Sequence, residues 1–224
     1  MSVSTSQKPA AILFDFDGTL IDSATSVLAG LRHALTSASI EPRCALNVSI
    51  IGPPLRLTLA KLAGSDEPAL IDRLAAAFRE HYDSDGYKHT AVYDGVPSML
   101  QALNAAGIAL YIVTNKRILP TLRILDHLGW RDWFASVYAL DALQPPAANK
   151  PALVAGVLKK HALATQQTWM VGDSEEDRRS AETNGLRFFA AQWGYGSASG
   201  AGLSKPAELA LAAGLTSPCL GLSL

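Results

Sequence analysis

The sequence has little cysteine and almost no excess of charge of either sign. Its 224 residues include two cysteines, and 19 basic against 20 acidic residues give a formal net charge of −1. Cys44 and Cys219 lie far apart along the chain and do not form a disulfide framework, which fits a reducing, cytoplasmic compartment. A chain this close to neutrality lacks the basic surface typical of proteins that bind nucleic acid or an anionic membrane.

Long hydrophobic runs are also missing. No apolar run is long enough to span a bilayer, and residues 1–8 are polar and lack the apolar stretch of a signal peptide. Hydrophobic residues nevertheless make up 49% of the chain, enough at this length for one core and a smaller subdomain. We therefore expect a globular protein with neither a membrane nor a nucleic-acid partner.

Short apolar runs alternate with helical patterns in most of the chain. The runs Ile108–Val113 and Thr168–Val171 are separated and followed by helical segments that end at glycine, which predicts a parallel sheet with helices on both faces. Between the first strand and this alternation, apolar residues recur only at helical spacing. The sequence thus predicts an α/β fold, a Rossmann-like parallel sheet core with an inserted α-helical subdomain. The predicted core comprises residues 1–21 and 92–224, and the predicted insertion comprises residues 22–91.

The first apolar run, Ala10–Phe14, leads into two carboxylates, Asp15 and Asp17. Ligands of open α/β sheets bind at the carboxyl ends of the strands, so both side chains are expected at a ligand site. Two carboxylates there are costly unless a cation, hydrogen bonds or a shared proton relieve them. One could attack phosphorus while the other moves the proton of the leaving oxygen. The alternative for this pattern alone is an acidic turn after a strand.

Three further groups of polar residues lie at the end of a predicted strand or at the start of a predicted helix. Thr114 and Asn115 follow a strand, where a hydroxyl and backbone N–H groups can hold phosphate oxygens. Lys150 lies beside the start of a helix and offers a compact positive charge. Asp173 follows another strand, with Asp177 one helical turn further on, and such oxygen ligands suit a hard dication. Glu175 and Glu176, between them, are expected to be solvated.

These segments resemble the four motifs of the haloacid dehalogenase (HAD) superfamily in its phosphatase form. Asp15-Phe16-Asp17-Gly18-Thr19-Leu20 resembles the first motif, and Thr114-Asn115, Lys150-Pro151 and Gly172-Asp173 resemble the other three in the same order. An acid two residues after the nucleophile marks the phosphoryl-transfer branch of the superfamily, so the resemblance disfavours dehalogenation.

The resemblance implies a role for each motif residue. Asp15 would be the nucleophile and Asp17 the general acid and base. Mg²⁺ would be held by Asp15, Asp173 and the backbone carbonyl of Asp17, with Asp177 in support. The residues implied in phosphate binding are Thr114, Asn115 and Lys150.

The resemblance also implies that residues 22–91 form a helical cap of the first class, which contacts the leaving group. Gly52-Pro53-Pro54-Leu55-Arg56 resembles a segment of that cap, and Arg56 could meet an anionic leaving group. The alternative is an exposed helix arginine. The loop Trp193-Gly194-Tyr195-Gly196 resembles that of phosphoglycolate phosphatase-like members and is expected to close the core near the site.

The sequence therefore predicts a Mg²⁺-dependent phosphatase, similar to phosphoglycolate phosphatases, that hydrolyses a small phosphorylated metabolite through an aspartyl-phosphate. Other phosphoryl-transfer enzymes of the same scaffold remain open, namely a pyrophosphatase, a nucleotidase or a phosphosugar mutase. A non-catalytic binding protein of this fold is a further alternative, against which the intact set of motif residues argues. Neither the substrate nor the oligomeric state follows from the sequence.

Overall fold

The computed structural model describes residues 8–196 and 198–215, which form two sheets and eight α-helices. The strands are β1 (Ala11–Phe14), β2 (Ile21–Asp22), β3 (Ala91–Val92), β4 (Ala109–Thr114), β5 (Ser136–Ala139), β6 (Thr168–Gly172), β7 (Arg187–Ala191) and β8 (Gly202–Leu203). The helices are α1 (Ala24–Ser37), α2 (Leu55–Ala63), α3 (Pro68–Ser84), α4 (Val96–Ala105), α5 (Ile118–Leu128), α6 (Lys150–Lys160), α7 (Glu175–Thr183) and α8 (Ala207–Ala212).

The main sheet has six parallel strands in the order β5-β4-β1-β6-β7-β8, as the predicted α/β fold requires. The chain adds strands first on one side of β1 and then on the other, so β1 lies beside the point where the strand order reverses. Phe14, the last residue of β1, pairs with Ile112 and Val171 of its two neighbours. The carboxyl ends of β1, β4 and β6 therefore meet at one edge, where open α/β sheets bind ligands.

Both faces of this sheet are covered. Ile12 and Phe14 belong to a hydrophobic cluster on one face, while Ala11 and Leu13 belong to a cluster on the other. All four residues of β1 are fully buried, because successive side chains point to opposite faces and helices cover each face. This explains why the first strand is a continuous apolar run.

The three helices α1–α3 form a separate layer with a hydrophobic core of its own, built around residues such as Leu31, Leu59 and Leu74. The chain leaves the main sheet along β2 and returns along β3, and these two short strands pair antiparallel. We refer to residues 22–91 as the helical insert. The boundaries of this insert, at residues 22 and 91, stay a prediction, and both lie within the paired strands β2 and β3.

Some boundaries differ from those that the sequence indicates. Pro120 marks a helix start in the sequence, but α5 begins two residues earlier, at Ile118. The first N–H groups of a helix have no intrahelical partner, so a proline in the first turn costs little. Strands β2, β3 and β8 were not predicted, because two residues are too few to show a period. Cys219 lies outside the described residues.

Within the described residues, no helix has both the length and the apolar character that crossing a bilayer requires.

Candidate active site

A buried lysine joins two of the acidic residues behind the carboxyl edge of the sheet. Asp15 directly follows β1, and Nζ of Lys150 lies 2.6 Å from its Oδ1 and 2.5 Å from Oδ1 of Asp177. Lys150 is only 2% exposed. It is the first residue of α6, whose start is fixed by the side chain of Asn149, which accepts a hydrogen bond from Ala152 N at 3.0 Å. Helix capping therefore helps to direct the ammonium toward Asp15.

Asp177 is fully buried in the first turn of α7. Its Oδ2 accepts hydrogen bonds from the backbone N–H of Ser174 at 3.0 Å and from the Ser174 hydroxyl at 2.5 Å, forming a capping box. Its other oxygen is the one paired with Lys150. A Cβ on Gly172 would overlap this side chain, so the last residue of β6 has to be glycine. Asp177 thus orients Lys150 while being held in place itself.

Asp173, just after β6, is held by the loop that follows β7. Its Oδ2 accepts hydrogen bonds from the backbone N–H groups of Tyr195 at 3.1 Å and Gly196 at 2.9 Å. Its Oδ1 accepts one from the Thr19 hydroxyl at 3.2 Å. A Cβ on Gly196 would overlap the backbone of Asp173, and one on Gly18 would overlap its carboxylate. Glycine at positions 18 and 196 therefore allows the backbone to pass this close to Asp173.

Burial raises the pKa of both carboxyls at the sheet edge. The pKa of Asp15 is well above its usual range because of its burial, and Asp177 and Asp173 add to the effect while Lys150 opposes it. Burial raises the pKa of Asp173 to about 6, with a further contribution from Asp177 and an opposing one from the Gly196 N–H. Burial alone would lower the pKa of Lys150, but the charges of Asp15 and Asp177 outweigh it, and the pKa is raised.

The site has the donor atoms and the charge that suit a divalent cation. One carboxylate oxygen each from Asp15, Asp173 and Asp177 lies within 4.8 Å of the others, and all three residues are buried. Against these three carboxylates, Lys150 supplies a single positive charge. Buried charge that is not compensated is strongly unfavourable, and hard dications prefer oxygen ligands, so the residues fit such an ion.

Asp17 lines the same cavity as Asp15 and Asp173, but its carboxylate binds a different lysine and a residue of the helical insert. Nζ of Lys116 lies 3.1 and 3.2 Å from its two carboxylate oxygens, and the hydroxyl of Ser23 donates to Oδ1. The same ammonium stands 4.7 Å from the ring centre of Tyr82, on α3. Burial alone would lower the pKa of Lys116, but Asp17 and Tyr82 outweigh it and raise it. Lys116 directly follows Thr114-Asn115 in the sequence, but it was not among the predicted site residues, because its contact with Asp17 joins distant parts of the chain.

A cavity of about 240 Å³ opens onto these side chains. Asp15, Lys150 and Asp173 line it from the sheet, and Ile51 and Gly52 line it from the insert. A charged, partly enclosed space at the switch point of a parallel sheet is the expected place for a small anionic ligand.

The order of these residues along the chain and the fold agree with one known family. The family model of the haloacid dehalogenase-like hydrolases matches residues 12–191, which include every residue of the site described so far except the Tyr195–Gly196 loop. The chain belongs to this family. The resemblance given by the first motif is thereby confirmed, as is the predicted fold class.

Relatives within the haloacid dehalogenase-like family carry different activity names. The chain is 32% identical over 198 residues to the tyrosine-protein kinase PtkA of Mycobacterium tuberculosis, covering 87% of this chain and 66% of the kinase. The chain therefore spans just under two thirds of that relative's length. A solved structure of PtkA has a TM-score of 0.78 at 28% identity and covers 93% of this chain and 99% of that one.

Two further relatives are similar over most of their length. A 5'-nucleotidase of Pseudomonas aeruginosa is 31% identical over 187 residues, covering 83% of this chain and 84% of the nucleotidase. A phosphoglycolate phosphatase of Xanthomonas campestris is 33% identical over 196 residues, covering 84% of this chain and 85% of the phosphatase. Because the names differ, family membership alone does not select the reaction.

The side chains at the second family motif have partners within the protein. The amide nitrogen of Asn115 donates to the Gly52 carbonyl at 3.0 Å and to Oε2 of Glu176 at 2.7 Å. The expectation that Glu176 is merely solvated is therefore wrong, because it anchors this amide. Thr114 is buried, and its hydroxyl oxygen accepts a hydrogen bond from the N–H of Lys116 at 3.1 Å.

Arg56 does not join the other residues expected at the family site. Its guanidinium pairs with Asp72 across α2 and α3, and its side chain is 54% exposed. Arg56 is not among the residues that line the cavity beside Asp15. Gly52 and Leu55, on either side of the two prolines, line a cavity with residues of the sheet layer, whereas Arg56 pairs with Asp72. This geometry gives no support to a role for Arg56 in substrate recognition.

Proposed function

We propose that this haloacid dehalogenase-like hydrolase is a phosphatase that cleaves a small phosphomonoester through an aspartyl-phosphate on Asp15. The observation that carries the proposal is the fixed position of Asp15: it is buried at the end of β1, and Lys150 holds one of its two oxygens at 2.6 Å. A carboxylate held in this way can attack phosphorus with its other oxygen.

The proposed first step transfers the phosphoryl group to Asp15. The carboxylate oxygen forms a bond to phosphorus, the bond from phosphorus to the ester oxygen breaks, and Asp17 gives a proton to the leaving oxygen. Lys150 offsets negative charge on the transferring group, and the Thr114 hydroxyl and the backbone N–H of Asn115 bind its oxygens.

The second step reverses the role of Asp17. A water attacks the phosphorus of the aspartyl-phosphate, and Asp17 takes a proton from that water. The bond between phosphorus and the Asp15 oxygen breaks, which releases inorganic phosphate and restores the Asp15 carboxylate. Nζ of Lys116 lies 3.1 Å from Oδ1 of Asp17, and the Ser23 hydroxyl donates a hydrogen bond to the same oxygen. The carboxyl therefore stays on the insert side of the site in both steps.

Mg²⁺ fits this site as the proposed cofactor. Asp15 and Asp173 would hold it with the backbone carbonyl of Asp17, while Asp177, whose two oxygens bind Lys150 and Ser174, would support the arrangement. When bound, the ion supplies positive charge that stabilises the negative transition state of phosphoryl transfer.

Asp15→Asn tests the proposal. Phosphate release from 4-nitrophenyl phosphate in the presence of Mg²⁺ should fall at least about a hundredfold, because an amide is a far weaker nucleophile than a carboxylate. Asp132→Asn, which makes the same change at an exposed position, is the matched control and should keep the wild-type rate. Turnover by Asp15→Asn near the wild-type rate, with correct folding shown by circular dichroism, would contradict Asp15 as the nucleophile.

The 5'-nucleotidase and pyrophosphatase alternatives share this first step and differ in the leaving group, whereas a phosphosugar mutase differs in the second step, in which a sugar phosphate replaces water as the acceptor.

A further inference from the structure

A second cavity adjoins the one that holds Asp15. It has a volume of about 70 Å³ and lies between the helical insert and the sheet edge. The two cavities share Asp17, Ile51, Gly52 and Asn115 as lining residues. If the phosphoryl group occupies the larger cavity beside Asp15, a leaving group that receives a proton from Asp17 extends into the smaller one.

The wall that the insert contributes to the smaller cavity is almost entirely apolar. Leu31 comes from α1, Leu55 from the start of α2, and Phe78 from α3. Leu31 and Phe78 are buried, and Leu55 is half-buried. An apolar wall favours an apolar group, since water is released from both surfaces on binding.

Both cations that line this cavity already have carboxylate partners. Lys116 binds both oxygens of Asp17, at 3.1 and 3.2 Å. Arg117 binds Asp83 through two hydrogen bonds, of 2.9 and 2.5 Å. A carboxylate or second phosphate on the leaving group would therefore be buried without a free cation, at a large cost.

Two buried polar atoms that line this cavity have no hydrogen-bond partner among the described residues: the Tyr82 hydroxyl oxygen and Oδ1 of Asn115, which can only accept. Both hydrogen bonds of the Asn115 amide nitrogen go to oxygens, of Gly52 and Glu176, which fixes the orientation of the amide. Its Oδ1 is buried and has no hydrogen-bond partner among the described residues. A hydroxyl on the leaving group could donate to this oxygen, whereas a carboxylate would be repelled by it.

We propose that the smaller cavity is the leaving-group subsite and that it selects phosphomonoesters with a compact, uncharged and mainly apolar leaving group over esters with an anionic one. This inference rests on the proposed phosphatase function. It differs from the expectation of an arginine that binds an anionic leaving group, because Arg56 is paired elsewhere.

The test compares two alkyl esters, isobutyl phosphate and 2-phosphoglycolate, which differ chiefly in the charge of the leaving group. With Mg²⁺ present, kcat/KM should be at least tenfold higher for isobutyl phosphate. Leu55→Arg places a cation in the apolar wall, so it should lower kcat/KM for isobutyl phosphate and raise it for 2-phosphoglycolate, shifting the ratio at least tenfold toward the anionic ester.

Leu57→Arg is the matched control, because it adds the same charge to the same helix at a side chain that is 64% exposed. It should leave the ratio of the two kcat/KM values unchanged. Preference of the wild type for 2-phosphoglycolate, or equal effects of Leu55→Arg and Leu57→Arg, would overturn the inference while leaving the phosphatase proposal intact.

Failure of the proposed function gives a different result. In that case the wild type hydrolyses neither ester, or Asp15→Asn does not abolish the hydrolysis. Calorimetric binding of both esters to Asp15→Asn then decides the inference by itself: tighter binding of isobutyl phosphate supports the subsite, and tighter binding of 2-phosphoglycolate rejects it.

Discussion

Gly18 illustrates how one missing atom shapes the site. It follows Asp17 with φ of +83°, and a Cβ at this position would overlap the Asp173 carboxylate. Thr19, the next residue, binds the same carboxylate through its hydroxyl. The close approach of the β1 loop to Asp173 therefore depends on glycine.

We predict that Gly18→Ala lowers the phosphatase rate at least about a hundredfold, because displacing Asp173 by part of an ångström disturbs the positioning of the reacting groups. Gly107→Ala is a matched control: Gly107 has φ of +73°, but nothing lies within 4 Å of the position of its Cβ. Both variants should lose roughly 1–2 kcal/mol of unfolding free energy from the left-handed conformation. Rates for 4-nitrophenyl phosphate and denaturant unfolding measure the two effects, and an equal loss of activity in both variants would contradict the overlap argument.

At the scale of elements, an ion pair ties the helical insert to a helix of the sheet layer. Arg117 is the residue before α5, and Asp83 lies in the last turn of α3. Their side chains are 21% and 14% exposed and form two parallel hydrogen bonds. Arg123, nearly two helical turns further along the chain in α5, donates to the backbone carbonyl of Asp83 at 2.6 Å.

We predict that Arg117→Met lowers the free energy of unfolding by about 1.5–3 kcal/mol, because Asp83 loses a charged partner in a partly buried position. The matched control is Arg131→Met, which breaks an equally bidentate pair with Asp126 where the side chains are 42% and 56% exposed. Exposed pairs contribute roughly 0–1 kcal/mol, so the control should change stability little. Similar losses in urea unfolding of the two variants would show that burial does not set the strength of the Arg117 pair.

At the scale of the whole molecule, a net charge of −1 conceals an uneven distribution. Three buried carboxylates meet behind the sheet edge with one lysine, and the pKa values of Asp15 and Asp173 are raised there. A divalent cation that binds only the folded chain must therefore stabilise the fold through mass action.

We predict that Mg²⁺ at about 100 times its Kd adds about 2.7 kcal/mol of stability, which for a chain of this length corresponds to roughly 5–10 °C in Tm. Calorimetry or fluorescence melting with MgCl₂, against NaCl of equal ionic strength, measures the shift. Asp173→Asn should reduce it, whereas Asp132→Asn, at an exposed position, should keep it. Equal shifts with both salts would mean that no specific site is occupied. Chelation with EDTA should remove the shift without unfolding the protein, because the sheet has its own hydrophobic core.

The sequence by itself determined the fold class and the residues at the sheet edge. Asp15, Thr114 and Asp173 are recognisable because each lies at the end of an apolar strand or directly after it, and parallel strands end at the same edge. Local rules suffice for such residues, since a period of two or of 3.6 and a terminating glycine are visible in a short window of sequence.

Only the tertiary structure decided which side chains meet across the insert. The pairing of Lys116 with Asp17 and Tyr82, and that of Asn115 with Gly52 and Glu176, join residues about 30 to 100 positions apart. Arg56 shows the converse, because a position near the expected site says nothing about the direction in which a helix presents its side chain. Which face of α2 meets the sheet depends on how three helices pack over a shared core, and packing of that kind leaves no periodic signal at a single residue.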